Sequence, residues 1–274
     1  MALMPRPLAA QLGRETVEIL RRGGYAAPSN RWVDLSEAVA AAVSGTAEYP
    51  PTREVVPPPA GNRQTTITVE NATVLEVGER LAAAGPVAAL NFASATAPGG
   101  GFRQGARAQE ESIARSSGLF ACLEHQPMYG FHRRRLDAMF SDYVIYSPQV
   151  PVFRRDSGGL LEQPWMLSII TCPAADATAL REFDAARLAE IPAVMAERTR
   201  EALAVAAHHQ QYRIILGAWG CGAFGIESTV MARVFHEALA AGFRGVFDHV
   251  SFAITDWSED RRFIGPFEAL LARP

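Results

Sequence analysis

Leu8, Leu12, Val17, Ile19 and Leu20 stand among Arg and Glu at a spacing that lays apolar side chains along one helical face over residues 8–22. The Gly23-Gly24 pair stops that helix. Residues 31–35 read as a short strand. Ser36 then caps a helix whose inner side carries Val39, Ala42 and Val43. Tyr49 to Asn62 holds five prolines, which remove backbone donors and stiffen extended chain. A boundary is expected there, with residues 1–60 an N-terminal helical extension plus Pro-rich linker and residues 61–274 the main domain.

Past the prolines the period changes. Residues 65–71 alternate as a strand, 72–85 have helical spacing ended by Gly85, and 86–94 form an apolar strand leading into Gly99-Gly100-Gly101. A helix beginning near Ala108 turns Ile113, Leu119, Phe120 and Leu123 inward. Residues 142–153 and 165–173 read as strands, and about 184–208 as a long helix with Pro192 in its first turns. A strand over 212–219, a helix over 227–243 and a last strand over 249–255 follow. Strands alternating with helices predict an α/β sandwich with a largely parallel or mixed sheet. Ligands of such sheets bind beyond the carboxyl ends of the strands, where both glycine-rich loops fall.

Composition narrows the classes. With 274 residues, 49% hydrophobic and 20% charged, the chain can bury a sizeable core, in one domain with an accessory segment. A net charge of -3 gives no global basic field, so duplex nucleic acid is not an expected partner. All 26 basic residues are Arg; without lysine there is no Schiff-base lysine and no Walker-type phosphate lysine. Cys122, Cys172 and Cys221 are an odd number without CxxC spacing, which fits a reducing compartment. Prolines and charges interrupt the first twenty residues and no apolar run approaches a membrane span. The chain therefore reads as cytoplasmic, with no membrane partner.

Two loops carry the chemistry. Gly220-x-Gly222-x-x-Gly225 follows a strand, precedes a helix, and has Asp248 23 residues on, which satisfies the dinucleotide-binding pattern. A nicotinamide-dependent oxidoreductase would rest on this loop alone. Only 49 residues follow Gly225, whereas a Rossmann domain builds several units after its fingerprint. What survives is a backbone surface able to approach a diphosphate beside a helix N-terminus. A tight turn with no ligand is the plainer alternative. In the first loop, Gly99-Gly100-Gly101 precedes Gln109-Glu110-Glu111. Each alone reads as a flexible turn or an acidic first helical turn. Together they place bare backbone beside two carboxylates.

Leu90 to Leu123, LNFASATAPGGGFRQGARAQEESIARSSGLFACL, resembles the signature of the bacterial-type poly(ADP-ribose) glycohydrolases, a triple glycine, a short spacer and Gln-Glu-Glu. LGAWGCGAFG, Leu216 to Gly225, resembles the same family's diphosphate loop. The similarity extends over most of residues 61 to 255, and residues 1–60 resemble the family's helical extension. The resemblance implies a macrodomain, an α/β/α sandwich around a mixed sheet. It implies hydrolysis of the ribose–ribose O-glycosidic bonds of poly(ADP-ribose) to release ADP-ribose, from chain ends, with the N-terminal helices covering the ribose end of the pocket. Glu111 is then the acid that protonates the departing 2′-oxygen and afterwards the base that activates water. Glu110 holds the ribose hydroxyls, and Gln109 supports the loop. Gly99, Gly100, Gly101 and Asn91 lie against the terminal ribose and diphosphate. Gly220, Cys221, Gly222, Ala223 and Gly225 cradle the diphosphate, Phe224 packs on the terminal ribose, and Glu70 or Asn71 meets the adenine.

The implied partners are poly(ADP-ribose), ADP-ribose and ADP-ribosylated proteins. A monomer is expected, with no cofactor and no metal. The competing reading is a macrodomain that binds ADP-ribose without cutting it; retention of both Glu110 and Glu111 favours the enzyme. One tension accompanies it. A helix N-terminus lowers a carboxylate's pKa while a general acid needs it raised, so desolvation and repulsion must prevail. Arg133-Arg134-Arg135 and Arg154-Arg155 read as solvated surface ahead of polymer contacts.

Overall fold

The computed structural model describes residues 4–53 and 55–272. Its strands are β1 (Gly24–Ala26), β2 (Trp32–Asp34), β3 (Ala47–Tyr49), β4 (Thr66–Glu70), β5 (Ala88–Ala93), β6 (Val144–Arg154), β7 (Leu160–Pro173), β8 (Arg213–Leu216) and β9 (His249–Ala253). The first two form a separate hairpin. The others form one seven-stranded sheet in the order β3-β6-β7-β5-β8-β9-β4. β7, β5, β8, β9 and β4 run parallel, while at one edge β6 runs against them and β3, antiparallel to β6, returns to their direction.

The strands read as continuous apolar runs because both faces of the sheet are covered. In β5, Ala88 and Leu90 enter one core while Val87, just before it, and Ala89 enter the other; Ile214 and Ile215 of β8 divide the same way. One core is completed by α8 (Ile191–His208), α9 (Ser228–Glu237) and α10 (Gly265–Leu271) through Met195, Leu203, Met231, Phe235 and Phe267. The other is completed by α3 (Val74–Ala82), α4 (Gln109–Ser116), α5 (Leu119–Leu123) and α6 (Pro127–Arg135) through Val77, Ile113, Leu123 and Met128. This is the α/β/α sandwich with a mixed sheet that the alternation predicts. Local signals set its elements. Thr73 and Glu76 close a capping box on α3, each side chain accepting the other residue's backbone N–H at 3.1 and 2.8 Å.

Four expectations shift. The N-terminal segment comprises α1 (Arg6–Arg22), the hairpin, α2 (Ser36–Ser44) and β3, so it is not helical alone. The sheet crosses the proline stretch, because β3 pairs with β6 from Ala47 opposite Tyr146 to Tyr49 opposite Val144. Gly23 ends α1 in the left-handed region at φ 75°, as expected, but Ser36 is the first helical residue and not the cap. Its N–H is taken by Asp34 Oδ1 at 2.7 Å. The long helix over 184–208 becomes α-helical only at Ile191, after a 3-10 segment at Ala185–Glu190. Pro192 lies in its first turn, where a missing N–H costs nothing.

Candidate active site

β5 delivers the chain to Gly99, and α4 returns it at Gln109. The two ends are fastened by the Gln109 amide, whose Oε1 accepts from Phe92 N at 3.0 Å and whose Nε2 donates to the Leu90 carbonyl at 2.7 Å. β8 pairs with β5 only at Ala88 and Ala89. Beyond that point the sheet opens, and Gln109 satisfies backbone groups that the neighbouring strand leaves free.

Between these ends the loop closes on two carboxylates. Glu111 Oε1 accepts from Gly101 N at 3.0 Å and Oε2 from Ala108 N at 2.9 Å. Glu110 Oε2 accepts from Ser94 N at 2.7 Å, while Glu110 Oε1 is buried with no partner among the described residues. Gly100 explains why this loop is glycine. Its φ is +59°, and a Cβ there would lie 2.2 Å from Glu111 Oε1 and 2.8 Å from Glu110 Oε2. The two carboxylates therefore converge on one bare Cα. The glycine N–H groups are used inside the loop. That of Gly100 goes to the Ala97 carbonyl at 2.9 Å, that of Gly101 to Glu111, and that of Gly99 faces Glu110.

Both acids are nearly covered, with Glu110 3% and Glu111 8% exposed. Burial, and behind it the charge of Glu111, push the Glu110 carboxyl well above the usual range, against the opposing hydrogen bonds from Ser94, Asn91 and Gly99. The carboxyl that burial raises is thus that of Glu110, the neighbour of the residue expected to act as the acid. Behind Glu110 lies a polar set of which the sequence singles out only Asn91. Asn91 is fully buried and donates to Thr171 Oγ1 at 3.2 Å, leaving its Oδ1 unpartnered. The Tyr129 hydroxyl is also buried without a partner among the described residues, and burial together with the Glu110 charge raises its pKa.

The second loop is built differently. Gly220 and Gly225 hold φ values of 75° and 67°, and the Cys221 and Gly225 N–H groups close turns on Ala218 and Gly222. The N–H groups of Gly222, Ala223 and Phe224 have no acceptor among the described residues. Three successive free N–H groups form a concavity suited to an anion. The loop's outward carbonyls are occupied by α7 (Ala177–Phe183). Thr178 Oγ1 bonds the Ala223 carbonyl at 3.2 Å, Thr178 N that of Phe224 at 3.1 Å, and Arg181 Nη2 that of Gly225 at 2.7 Å. A Cβ on Gly222 would meet nothing within 4 Å, so this position faces open space. Cys221 is buried, and that burial pushes its thiol up to about 12, far from thiolate reactivity. Half-buried Phe224 lies 6.2 Å from Phe140, ring centroid to centroid.

Glu70 and Asn71 are committed to protein partners. The Glu70 carboxylate accepts from Arg80 Nη2 at 2.6 Å. The Asn71 amide brackets Asp256, donating to its carbonyl at 2.7 Å and accepting from its N–H at 3.0 Å. Asp248, twenty-three residues after Gly225, pairs with Arg63 at 3.5 Å.

Sequence reasoning also missed the support behind the first loop. α1 packs on the 3-10 turn Phe102–Gln104, and a Cβ on Gly13 would lie 2.3 Å from the Phe102 carbonyl oxygen. Thr16 Oγ1 donates to the Arg115 carbonyl. Arg115 is buried, donates to the Ala106 carbonyl at 2.7 Å, and feels the Glu111 charge. Arg154, 2% exposed, bonds the Arg115 carbonyl at 3.2 Å and Glu15 at 3.1 Å. Arg154 is therefore an internal brace and not the solvated surface expected of it. No spacing in the sequence announces these contacts, two of which, Thr16 with Arg115 and Glu15 with Arg154, join segments more than ninety residues apart.

Among the described residues no group of His, Cys, Asp and Glu is arranged to hold a metal ion, and no helix is long and apolar enough to cross a membrane. Residues 13–155 match the model of the microbial-type PARG catalytic domain. The poly(ADP-ribose) glycohydrolase of Thermomonospora curvata superimposes with a TM-score of 0.91 and 43% identity over 96% of this chain and 99% of that one. The same protein bound to the inhibitor ADP-HPD gives 0.88 and 43%, over 95% and 98%. The poly(ADP-ribose) glycohydrolase of Deinococcus radiodurans in complex with ADP-ribose gives 0.81 and 40%, over 84% and 96%. No curated protein matches. The family model spans more than half of the chain and the likeness to these structures runs across nearly their whole length, so the chain belongs to the microbial-type poly(ADP-ribose) glycohydrolase family.

Proposed function

We infer that the chain is a poly(ADP-ribose) glycohydrolase, hydrolysing the ribose–ribose bond and releasing ADP-ribose. The observation that carries this is the convergence of Glu110 and Glu111 on the Gly100 Cα. A protein that only binds ADP-ribose has no use for two buried acids there. The run of free N–H groups from Gly222 to Phe224 supplies the anion site that a diphosphate requires.

In this reading the diphosphate lies on the second loop, with Gly220, Cys221, Gly222, Ala223 and Gly225 shaping its backbone, and Phe224 fixes the angle of the terminal ribose. Glu111 gives its proton to the departing 2′-oxygen as the bond to the anomeric carbon breaks. The positive charge developing on the terminal ribose is offset by the diphosphate. Water then adds to the anomeric carbon and returns a proton to Glu111. Glu110 holds the ribose hydroxyls. The two acids are adjacent on one helical turn and cannot flank a sugar from opposite faces, so the usual paired-carboxylate geometry does not apply. Gly99, Gly100 and Gly101 contribute seats for the carboxylates and a bare surface for the ribose, and Gln109 and Asn91 fix the loop and Glu110.

The enzyme is further proposed to act from chain ends, as a cytoplasmic monomer without cofactor or metal. Exo-action is supported by the seating of α1 on the loop that follows the glycine triplet, where the N-terminal segment would bound the ribose end of the site. Labelled poly(ADP-ribose) with products resolved by length tests both parts. ADP-ribose released from the first turnovers, with gradual chain shortening, is the expected result. No release would refute the activity, and abundant oligomers before monomer would refute exo-action.

A further inference from the structure

Beside the carboxylates, outside the two glycine loops, lies a cleft of about 370 Å³. Pro98 lines it together with α6, which contributes Tyr129 from its first turn and Arg133 and Arg134 from its last; Glu124 and His125 complete the lining. Two observations tie this cleft to the site. Pro98 is two residues from Gly100, on which both carboxylates converge. Tyr129, which lines the cleft, feels the charge of Glu110. The cleft therefore adjoins the loop that carries the glycine triplet.

Its charge is unbalanced. Arg133 and Arg134 are exposed and form no ion pair among the described residues. The nearby acid, Glu124, faces His125 at 3.8 Å. Arg133 is also positioned, because its Nη1 donates to the Thr96 carbonyl at 2.6 Å. That bond uses one of its five N–H groups and leaves an edge of the guanidinium free. Arg115 and Arg154, by contrast, are buried and bonded within the protein, whereas neither Arg133 nor Arg134 meets an acid among the described residues.

We propose that this cleft binds the diphosphate of the neighbouring ADP-ribose unit, the one that carries the leaving 2′-oxygen, through Arg133 and Arg134. The inference rests on the glycohydrolase reading above. Its chemical basis is connectivity. The departing 2′-oxygen belongs to the next unit's adenosine ribose, whose 5′ carbon bears a diphosphate across a single furanose ring. With the terminal unit's reacting carbon at Glu111, that second diphosphate falls within reach of a wall two residues from Gly100. Guanidinium groups suit phosphate oxygens through paired N–H donors. The terminal unit's own diphosphate is met by neutral backbone at the second loop, so the two subsites differ in kind: dipoles hold the unit to be released and full charges hold the chain it leaves. It follows that affinity for polymer depends on salt more steeply than affinity for ADP-ribose.

The test measures binding, so that it does not depend on catalysis. The Glu111→Gln chain, with and without Arg134→Ala, is titrated with ADP-ribose and with purified poly(ADP-ribose) across a salt series. Arg134→Ala leaves the Arg133–Thr96 bond in place and cannot act by loosening the catalytic loop. It is expected to weaken polymer binding about 5-fold at low salt, as loss of an exposed charge-assisted phosphate contact should. The slope of log K against log salt should fall by about 0.7, the value for one phosphate contact on a single strand. ADP-ribose affinity should stay within about twofold. Equal weakening of ADP-ribose would place Arg134 at the terminal unit's own crevice and overturn the proposal. Unchanged polymer affinity and slope would return the patch to solvated surface and overturn it equally. Failure of the wild-type chain to cut polymer would sink the glycohydrolase reading and leave this measurement standing on its own.

Discussion

Gly100→Ala puts the site's central contact to a direct test. At φ +59° an L side chain costs about 1–2 kcal/mol by itself. The added methyl would also lie 2.2 Å from Glu111 Oε1 and 2.8 Å from Glu110 Oε2, so at least one carboxylate moves by about an ångström to reach ordinary contact. A displacement of that size costs about 10²-fold in rate when it affects reacting groups. The cost to stability is roughly 2–3 kcal/mol once strain and lost hydrogen bonds are combined, or roughly 5–10 °C in Tm for a chain of this length. Gly222→Ala is the matched control, because its methyl meets no protein atom within 4 Å. Its Tm should be unchanged, and any loss of ADP-ribose affinity then reports on ligand at the second loop. The assays are kcat and KM from ADP-ribose release, ADP-ribose Kd by calorimetry, and thermal melts. Gly100→Ala is expected to lose at least about 10² in kcat while retaining ADP-ribose affinity within about tenfold. A folded Gly100→Ala enzyme with more than about a tenth of wild-type kcat would show that the carboxylates do not depend on this bare Cα.

Glu111→Gln is expected to lower kcat by at least about 10²-fold with ADP-ribose Kd within a few-fold, since general acid–base catalysis supplies about 10²–10⁴; retention of a tenth of the rate would remove Glu111 from that role. Glu110→Gln should raise Tm at neutral pH. The raised Glu110 carboxyl contributes stability that is present below its unfolded pKa and lost as pH rises towards the folded one. The variant's advantage should therefore grow from about pH 4.5 upward by at most about 1.4 kcal/mol per pH unit, and an advantage equal at pH 5 and pH 8 would contradict the burial argument. Gly13→Ala drives α1 into the Phe102 carbonyl at 2.3 Å, and Phe102 packs 3.1 Å from the Cβ position of Gly99. It should lower kcat about tenfold, whereas Gly61→Ala, with a comparable 2.0 Å clash at Gly245 away from the site, should lower only Tm; wild-type kcat in a folded Gly13→Ala chain would show that α1 does not position the loop.

Much of this was legible in the sequence. Alternation of apolar runs with helical spacing gave the layers, because a sheet covered on both faces must divide its side chains between two cores, as Ala88 and Ala89 do. Gln109-Glu110-Glu111 and the glycine triplet, paired as letters, are also neighbours in space, with Glu111 bonded to Gly101 N. β3 was not legible. Three residues between a glycine-ended helix and a proline pair carry no period, and they become a strand only because β6 offers its edge. Ser94, Tyr129, Arg115 and Arg154 were equally silent, since their contribution depends on which distant segment the topology brings beside Glu110 and Glu111. The same limit applies to Glu70 and Asn71. Their polar atoms are met by Arg80 and the Asp256 backbone, partners that the alternation of β4 does not announce.

The glycines of the two loops look interchangeable as letters and act in opposite ways. In the first loop the N–H groups point inward, and Gly100 lacks a side chain because Glu111 and Glu110 occupy the space where one would stand. In the second, the N–H groups of Gly222 to Phe224 have no acceptors among the described residues, and Gly222 lacks a side chain beside open space. Only neighbours separate the two cases, and a sequence does not print neighbours. The division suits the chemistry. Backbone donors have no rotamers of their own to lose, so they can hold a carboxylate at a fixed point in one loop and accept an anion in the other at little entropic cost. On the proposed reading, a lysine-free chain would meet a diphosphate with peptide dipoles and keep its exposed arginines for surfaces such as the Arg133–Arg134 cleft, where full charge would engage a polymer.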